Sequence, residues 1–113
     1  DGVVLIGEPY WTEPLPAGVD PGFPAEEFAD LAGTAEKLRA AGLDLVEMVL
    51  ADGDSWDRYA AAQWWTLDEW LRGHPEHPHR GQVESFLDDA RREHLTWQRR
   101  CLGWGVFVCR PRP

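Results

Sequence analysis

The stretch Val3-Val4-Leu5-Ile6-Gly7-Glu8-Pro9-Tyr10-Trp11 decides how the rest of the chain is read. Its opening run, Val3 to Ile6, is unbroken, β-branched and apolar, the pattern of a strand covered on both faces. Glycine, proline and two adjacent aromatics end the run, and Pro14, Pro16, Pro21 and Pro24 follow. Proline lacks an amide donor and holds φ fixed, so residues 9–24 are predicted to form a stiff, irregular loop. A loop of that length inside a compact domain is more often functional than idle.

Downstream, helical and strand patterns alternate. Pro24-Ala25-Glu26-Glu27 is a favourable first helical turn, with acids at the positive end of the helix dipole. Phe28, Leu31, Ala32, Ala35 and Leu38 continue it at helical spacing up to Gly42. Leu43 to Ala51 reads as a second strand, and Asp52-Gly53-Asp54 as a turn in which Asp54 or Ser55 caps the next helix. That helix, over 55–72, carries Trp56, Ala60, Gln63, Trp64, Leu67, Trp70 and Leu71 on one face. Gly73-His74-Pro75-Glu76-His77-Pro78-His79 breaks it. A third helix, over 81–102, aligns Val83, Phe86, Leu87, Ala90, His94, Trp97 and Cys101, and residues 104–109 form the closing strand. The predicted fold is α/β, with three strands and about three helices, the first two strands forming a parallel pair through a right-handed crossover. Three strands alone leave an open edge and an open face, so the pattern reads as part of a larger sheet. The absence of an initiator Met, Met48 being the only Met, fits the same expectation of a fragment.

Composition narrows the function classes. The chain has 113 residues, with 11 Lys+Arg against 20 Asp+Glu, a net charge of −9. Phosphate backbones and anionic lipid surfaces repel such a chain, so neither nucleic acid nor membrane is an expected partner. No apolar run approaches the ~20 residues of a membrane helix, and no signal segment opens the chain. Cys101 and Cys109 are too few for a disulfide scaffold, and the ends of a closing strand lie too far apart to bridge. They are expected to be reduced, partly buried thiols of a cytoplasmic protein.

The residues resemble the C-terminal half of class I S-adenosylmethionine-dependent methyltransferases. The carrying segments are residues 3–11, Ala41-Gly42-Leu43-Asp44-Leu45-Val46-Glu47-Met48-Val49, and Leu102-Gly103-Trp104-Gly105-Val106-Phe107-Val108. The resemblance implies a partial Rossmann-like sheet whose segments are the fifth, sixth and seventh strands. In it the last strand is antiparallel and inserts between the other two, with Asp1-Gly2 closing the preceding turn. It also implies that residues 1–113 are the substrate-side part of one domain. The Gly-rich turn and acidic residue that hold the cofactor in that family are not here: Gly7, Gly18, Gly22 and Gly33 make no such turn. S-adenosylmethionine is thus expected to serve the parent protein and not to bind this fragment, which is expected to be inactive alone.

In open α/β sheets ligands bind beyond the carboxyl ends of the strands. That edge holds Glu8, Tyr10 and Trp11 after the first strand, the Asp52–Trp56 region after the second, and Trp104 at the start of the third. Helices between the second and third strands are expected to lie over it as a lid. Glu8 is the candidate catalytic carboxylate, the alternative being a loop cap or an Arg partner. Tyr10, Trp11, Trp56, Tyr59, Trp65 and Trp104 are the candidate contacts for a small-molecule acceptor. Trp65 stands out, because helical geometry puts it opposite the apolar face, among Arg58, Ala61, Ala62 and Glu69. His94 sits in an apolar stripe and reads as a hydrogen-bonded core histidine. His74, His77 and His79 lack acidic or Cys partners at metal spacing, so no metal is expected. Seven Trp in this length also admit a second reading, a non-catalytic interaction module with a Trp-rich face. An exposed sheet edge at Val3 to Ile6, with its apolar faces, predicts a homodimer.

Overall fold

A computed structural model describes residues 2–113; Asp1, read with Gly2 as the close of a turn, lies outside them. The chain divides into two compact units, residues 2–51 with 100–113, and residues 52–99.

The first unit is built on a three-stranded sheet. Strand β1 spans Val4–Trp11, β2 Leu43–Leu50 and β3 Leu102–Pro111, in the order β1-β3-β2. The closing strand is central and antiparallel, as the resemblance implied. The expected parallel pair is corrected: every hydrogen-bonded pairing in the sheet is antiparallel. The crossover from β1 to β2 skips one strand position, and β3 fills the gap, so β1 and β2 share no ladder. Register runs from Val4 opposite Cys109 to Trp11 opposite Leu102, and from Leu43 opposite Pro111 to Leu50 opposite Gly105, with an irregularity between Leu45 and Glu47.

Strand β1 continues through Pro9, where the sequence predicts a loop. It is an edge strand here, and an edge admits a proline because its missing donor falls on the unpaired side. Helix α1, Leu31–Ala40, also starts later than its acidic lead-in suggests. Residues Ala25–Glu27 make only a 3-10 turn. Asp30 is the stronger start signal, its carboxylate accepting from the Gly33 amide at 2.8 Å. After α1, Gly42 turns the chain at φ +85°, a backbone state that suits glycine, and β2 begins at once. Leu31 and Leu38 of α1 pack with Tyr10, Phe107 and Cys109, and with Ile6, Leu43, Leu45 and Leu50, to form the core. Period-two alternation puts Ile6, Glu8 and Tyr10 on this covered face. Leu5, Val49, Trp104, Val106 and Val108 lie on the other, where Leu5 is 68% and Val49 60% exposed. The reading of residues 3–6 as covered on both sides therefore fails within these residues.

The second unit holds α2, Gly53–Gly73, and α3, Arg80–Glu93. Asp52, rather than Asp54 or Ser55, caps α2, accepting from the Ser55 amide at 2.7 Å. The single long third helix becomes α3, a π-helical stretch His94–Gln98 and a last turn at Arg99–Cys101. The widened turn carries an extra residue, and His94 and Trp97 are both buried there. No helix among the described residues is long and apolar enough to cross a membrane.

Candidate functional site

The carboxyl ends of β1 and β2 meet the start of β3, since Trp11 faces Leu102 and Leu50 faces Gly105. At this end of the sheet unit a cavity of about 430 Å³ is lined by Trp11, Glu13, Pro14, Phe28 and Asp30, among others. The proline-rich loop that walls it is pinned by aromatics. Trp11 stacks on Phe23 with ring centres 6.0 Å apart, and Phe23 meets Phe28 edge-on at 5.4 Å. The Trp11 indole N–H donates to the Ala25 carbonyl at 2.9 Å. Glu13 accepts from the Arg100 guanidinium at 2.6 Å, and the buried Cys101 thiol lies 3.8 Å from the same carboxylate oxygen.

The sequence-predicted residues take distinct places. Glu8 is half-buried on the α1 face, opposite Gly105. Tyr10 is buried in the core, and burial pushes its phenol above the ordinary tyrosine range. Its ring fits only because residue 103 is glycine: a Cβ there would come within 2.6 Å of the Tyr10 hydroxyl. Trp104 lies across the open face, where a Cβ on Gly7 would meet its ring at 2.8 Å. Trp56, Tyr59 and Trp65 belong to the helical unit. Trp56 stacks on Tyr59 at 5.9 Å, whereas Trp65 is 72% exposed and donates from its indole to Glu69 at 2.9 Å.

The helical unit also brings together a group of which the sequence flagged only His94, expected as a hydrogen-bonded core histidine and found so. His94, 2% exposed, has Nε2 at 2.8 Å from Asp57 Oδ1. Arg99 donates to both oxygens of that carboxylate, at 3.0 and 2.8 Å. These contacts, Arg99 first and His94 second, hold the Asp57 carboxyl well below the usual carboxylate range. His74 stacks on Trp70 at 4.4 Å and bonds its carbonyl through Nδ1 at 2.7 Å, while His77 accepts from the His79 amide at 3.0 Å. Among the described residues no group of three His, Cys, Asp or Glu could hold a metal ion.

This architecture is that of the C-terminal half of a class I S-adenosylmethionine-dependent methyltransferase, as the sequence resemblance implied. The chain is similar to a solved SAM-dependent methyltransferase from Geobacter sulfurreducens in complex with S-adenosyl-L-homocysteine. That match covers 98% of this chain and 46% of the other, at 39% identity and a TM-score of 0.87. The corresponding complex from Thiobacillus denitrificans matches over the same shares at 38% identity and a TM-score of 0.85. The structure of Escherichia coli YjhP matches at 40% identity and a TM-score of 0.84, over 99% of this chain and 50% of that one. In sequence, the uncharacterized protein YjhP of strain K12 is 41% identical over 95% of this chain and 45% of its own length. The chain thus spans about half the length of the relatives it matches. No family model matches it.

The S-adenosyl-L-homocysteine of the Geobacter and Thiobacillus proteins finds no tight Gly-rich turn among the described residues. Gly7 lies inside β1 beneath Trp104, Gly33 lies inside α1, and the one strand-to-helix connection of the sheet unit is the long proline-rich loop. None of these forms a tight Gly-rich turn from a strand into a helix.

Proposed function

We propose that this chain is the substrate-side part of an S-adenosylmethionine-dependent methyltransferase acting on a small-molecule acceptor, and that it is inactive by itself. The observation that supports this most strongly is its likeness, over nearly all its length, to two enzymes whose structures hold S-adenosyl-L-homocysteine. In this reading the cofactor is held by residues beyond these 113. The acceptor is held on the sheet unit, at the strand ends beside Trp11; Tyr10, buried in the core, is not among its contacts. Glu8 takes the proton where the acceptor must lose one. Methyl transfer asks the protein chiefly for alignment and for exclusion of water, which aromatic walls supply. The net charge of −9 suits a neutral or cationic acceptor better than a polyanion.

Calorimetry with S-adenosyl-L-homocysteine tests the reading. The full-length gene product is expected to give saturable heat, and this chain none. Equal heat from this chain would overturn the placement of the cofactor; none from either would overturn the methyltransferase reading. A non-catalytic binding module is the second reading, and the exposed Trp65 ring favours it.

The open sheet face further supports a homodimer of this chain, because Leu5 and Val49 expose large apolar area beside Val106 and Val108. Sedimentation velocity across micromolar concentrations is expected to show a dimer that Leu5→Lys with Val49→Lys converts to monomer. A wild-type monomer throughout that range counts against it.

A further inference from the structure

The cavity beside Trp11 has a one-sided hydrogen-bonding capacity. Among the described residues that line it, only Trp11 and Thr12 have side chains that can donate, and both donors are spent. The Trp11 indole N–H goes to the Ala25 carbonyl at 2.9 Å, and the Thr12 hydroxyl to the Arg100 carbonyl at 2.5 Å. The backbone here follows the same rule. The Trp11 amide donates to the Ala29 carbonyl at 2.9 Å and the Thr12 amide to the Cys101 carbonyl at 2.7 Å, while Pro14 has no amide hydrogen.

Acceptors are plentiful by contrast. Glu13 and Asp30 both line the cavity, and an ionised carboxylate only accepts, at two oxygens with about four lone-pair sites. Glu13 meets the Arg100 guanidinium and the Cys101 thiol through Oε1, and Asp30 gives Oδ1 to the Gly33 amide. Each carboxylate therefore has room for a further donor. Both are reachable from solvent: the Glu13 side chain is 46% exposed, and Asp30 is exposed. The N-terminus of α1, which would otherwise draw an anion, is already taken by the Asp30 carboxylate itself. Trp11, Phe28 and Leu15 supply the apolar wall, and an aromatic wall favours a cation over an anion. A ligand here must bring donors and positive charge, and an apolar body to cover these rings.

We propose that this cavity binds a small primary amine with an apolar body, its ammonium group drawn to the Glu13 and Asp30 carboxylates and its body lying against Trp11 and Phe28. The inference rests on the proposed function only in taking this cavity as the seat of the acceptor; the binding itself needs no cofactor.

Phenethylammonium, phenethyl alcohol and hydrocinnamate are the probes, one cationic, one neutral and one anionic, on the same two-carbon arm. They are titrated into the full-length gene product carrying nitrogen-labelled tryptophan. The Trp11 indole resonance is identified as the one that Trp11→Phe removes. Phenethylammonium is expected to shift it saturably and to bind about three- to tenfold more tightly than the alcohol, between the worth of an exposed ion pair and that of a buried charged hydrogen bond. Hydrocinnamate is expected to leave it unmoved. Raising sodium chloride from about 0.01 to 0.15 M should weaken the ammonium about two- to threefold and leave the alcohol unchanged. Asp30→Asn keeps a residue that caps α1 and is expected to weaken only the ammonium, about two- to fivefold. The salt comparison needs no variant, so it decides the matter even if Asp30→Asn does not fold. Equal affinity for ammonium and alcohol, tighter binding of hydrocinnamate, or no shift at Trp11 would each overturn the site. Those results leave the methyltransferase reading standing, whereas absence of heat with S-adenosyl-L-homocysteine would remove that reading and leave this site.

Discussion

Replacing Phe107 by alanine is expected to destabilise the sheet unit by about 3–5 kcal/mol, the range for truncating a fully buried aromatic. Phe107 is 1% exposed and sits in the middle of β3, opposite Ile6 on one side and Met48 on the other. Its ring reaches over Gly105, where an added Cβ would meet it at 2.9 Å. The cavity left by alanine would open between strands joined by backbone hydrogen bonds and the helix α1, which cannot close on it without breaking register. Small domains are stable by only about 5–15 kcal/mol, so the variant stands near the limit of folding. Urea unfolding followed by far-ultraviolet circular dichroism measures the loss, and hydrogen exchange at the β3 amides locates it. Phe107→Leu, which keeps most of the volume, should cost no more than about 1.5 kcal/mol. A loss below about 1 kcal/mol for the alanine variant would mean that β3 is not the centre of the core.

The central place of β3 followed from the family resemblance and not from its own residue pattern. Gly103, Gly105, Phe107 and Cys109 face one way, and Trp104, Val106 and Val108 the other. Its neighbours were harder to place. A crossover between strands predicts their pairing only when nothing is inserted between them, and the inserted strand comes last in the sequence. The extent of β1 was missed because Pro9 forbids a central strand but not an edge. The start of α1 was missed because acidic residues after Pro24 compete with a true N-cap at Asp30, six residues beyond that proline, and the capping hydrogen bonds decide.

The candidate site was legible by residue type more than by arrangement. Glu8, Trp11 and Trp104 follow from knowing where a sheet ends. Tyr10 carries the same chemistry, yet the pleat turns it into the core. Glu13 and Arg100 pair across the proline-rich loop with no local motif to announce them. The His94–Asp57 contact is equally silent, since 37 residues and a helix break separate the partners.

Gly103→Val carries the second large effect, expected at about 3 kcal/mol, the upper end for forcing bulk into a packed core. Residue 103 faces Tyr10 directly in the β1–β3 ladder, and the phenol ring lies where its side chain would be. A single methyl already overlaps the ring carbon that bears the hydroxyl, so Gly103→Ala is strained, and valine adds two more carbons. Relief requires Tyr10 to swing out of the core or β3 to pull away from β1. The former exposes an aromatic ring beside Trp11 at the end of the sheet; the latter breaks the ladder. The two are separable by a double-mutant cycle with Tyr10→Ala, which removes the obstructing ring. If steric conflict with Tyr10 is the cause, the paired variant is expected to be no less stable than Tyr10→Ala alone, apart from the cavity that valine partly fills. If the losses simply add, Gly103 serves the backbone of β3 and not the seat of Tyr10, and the close fit that orders this end of the sheet has another origin.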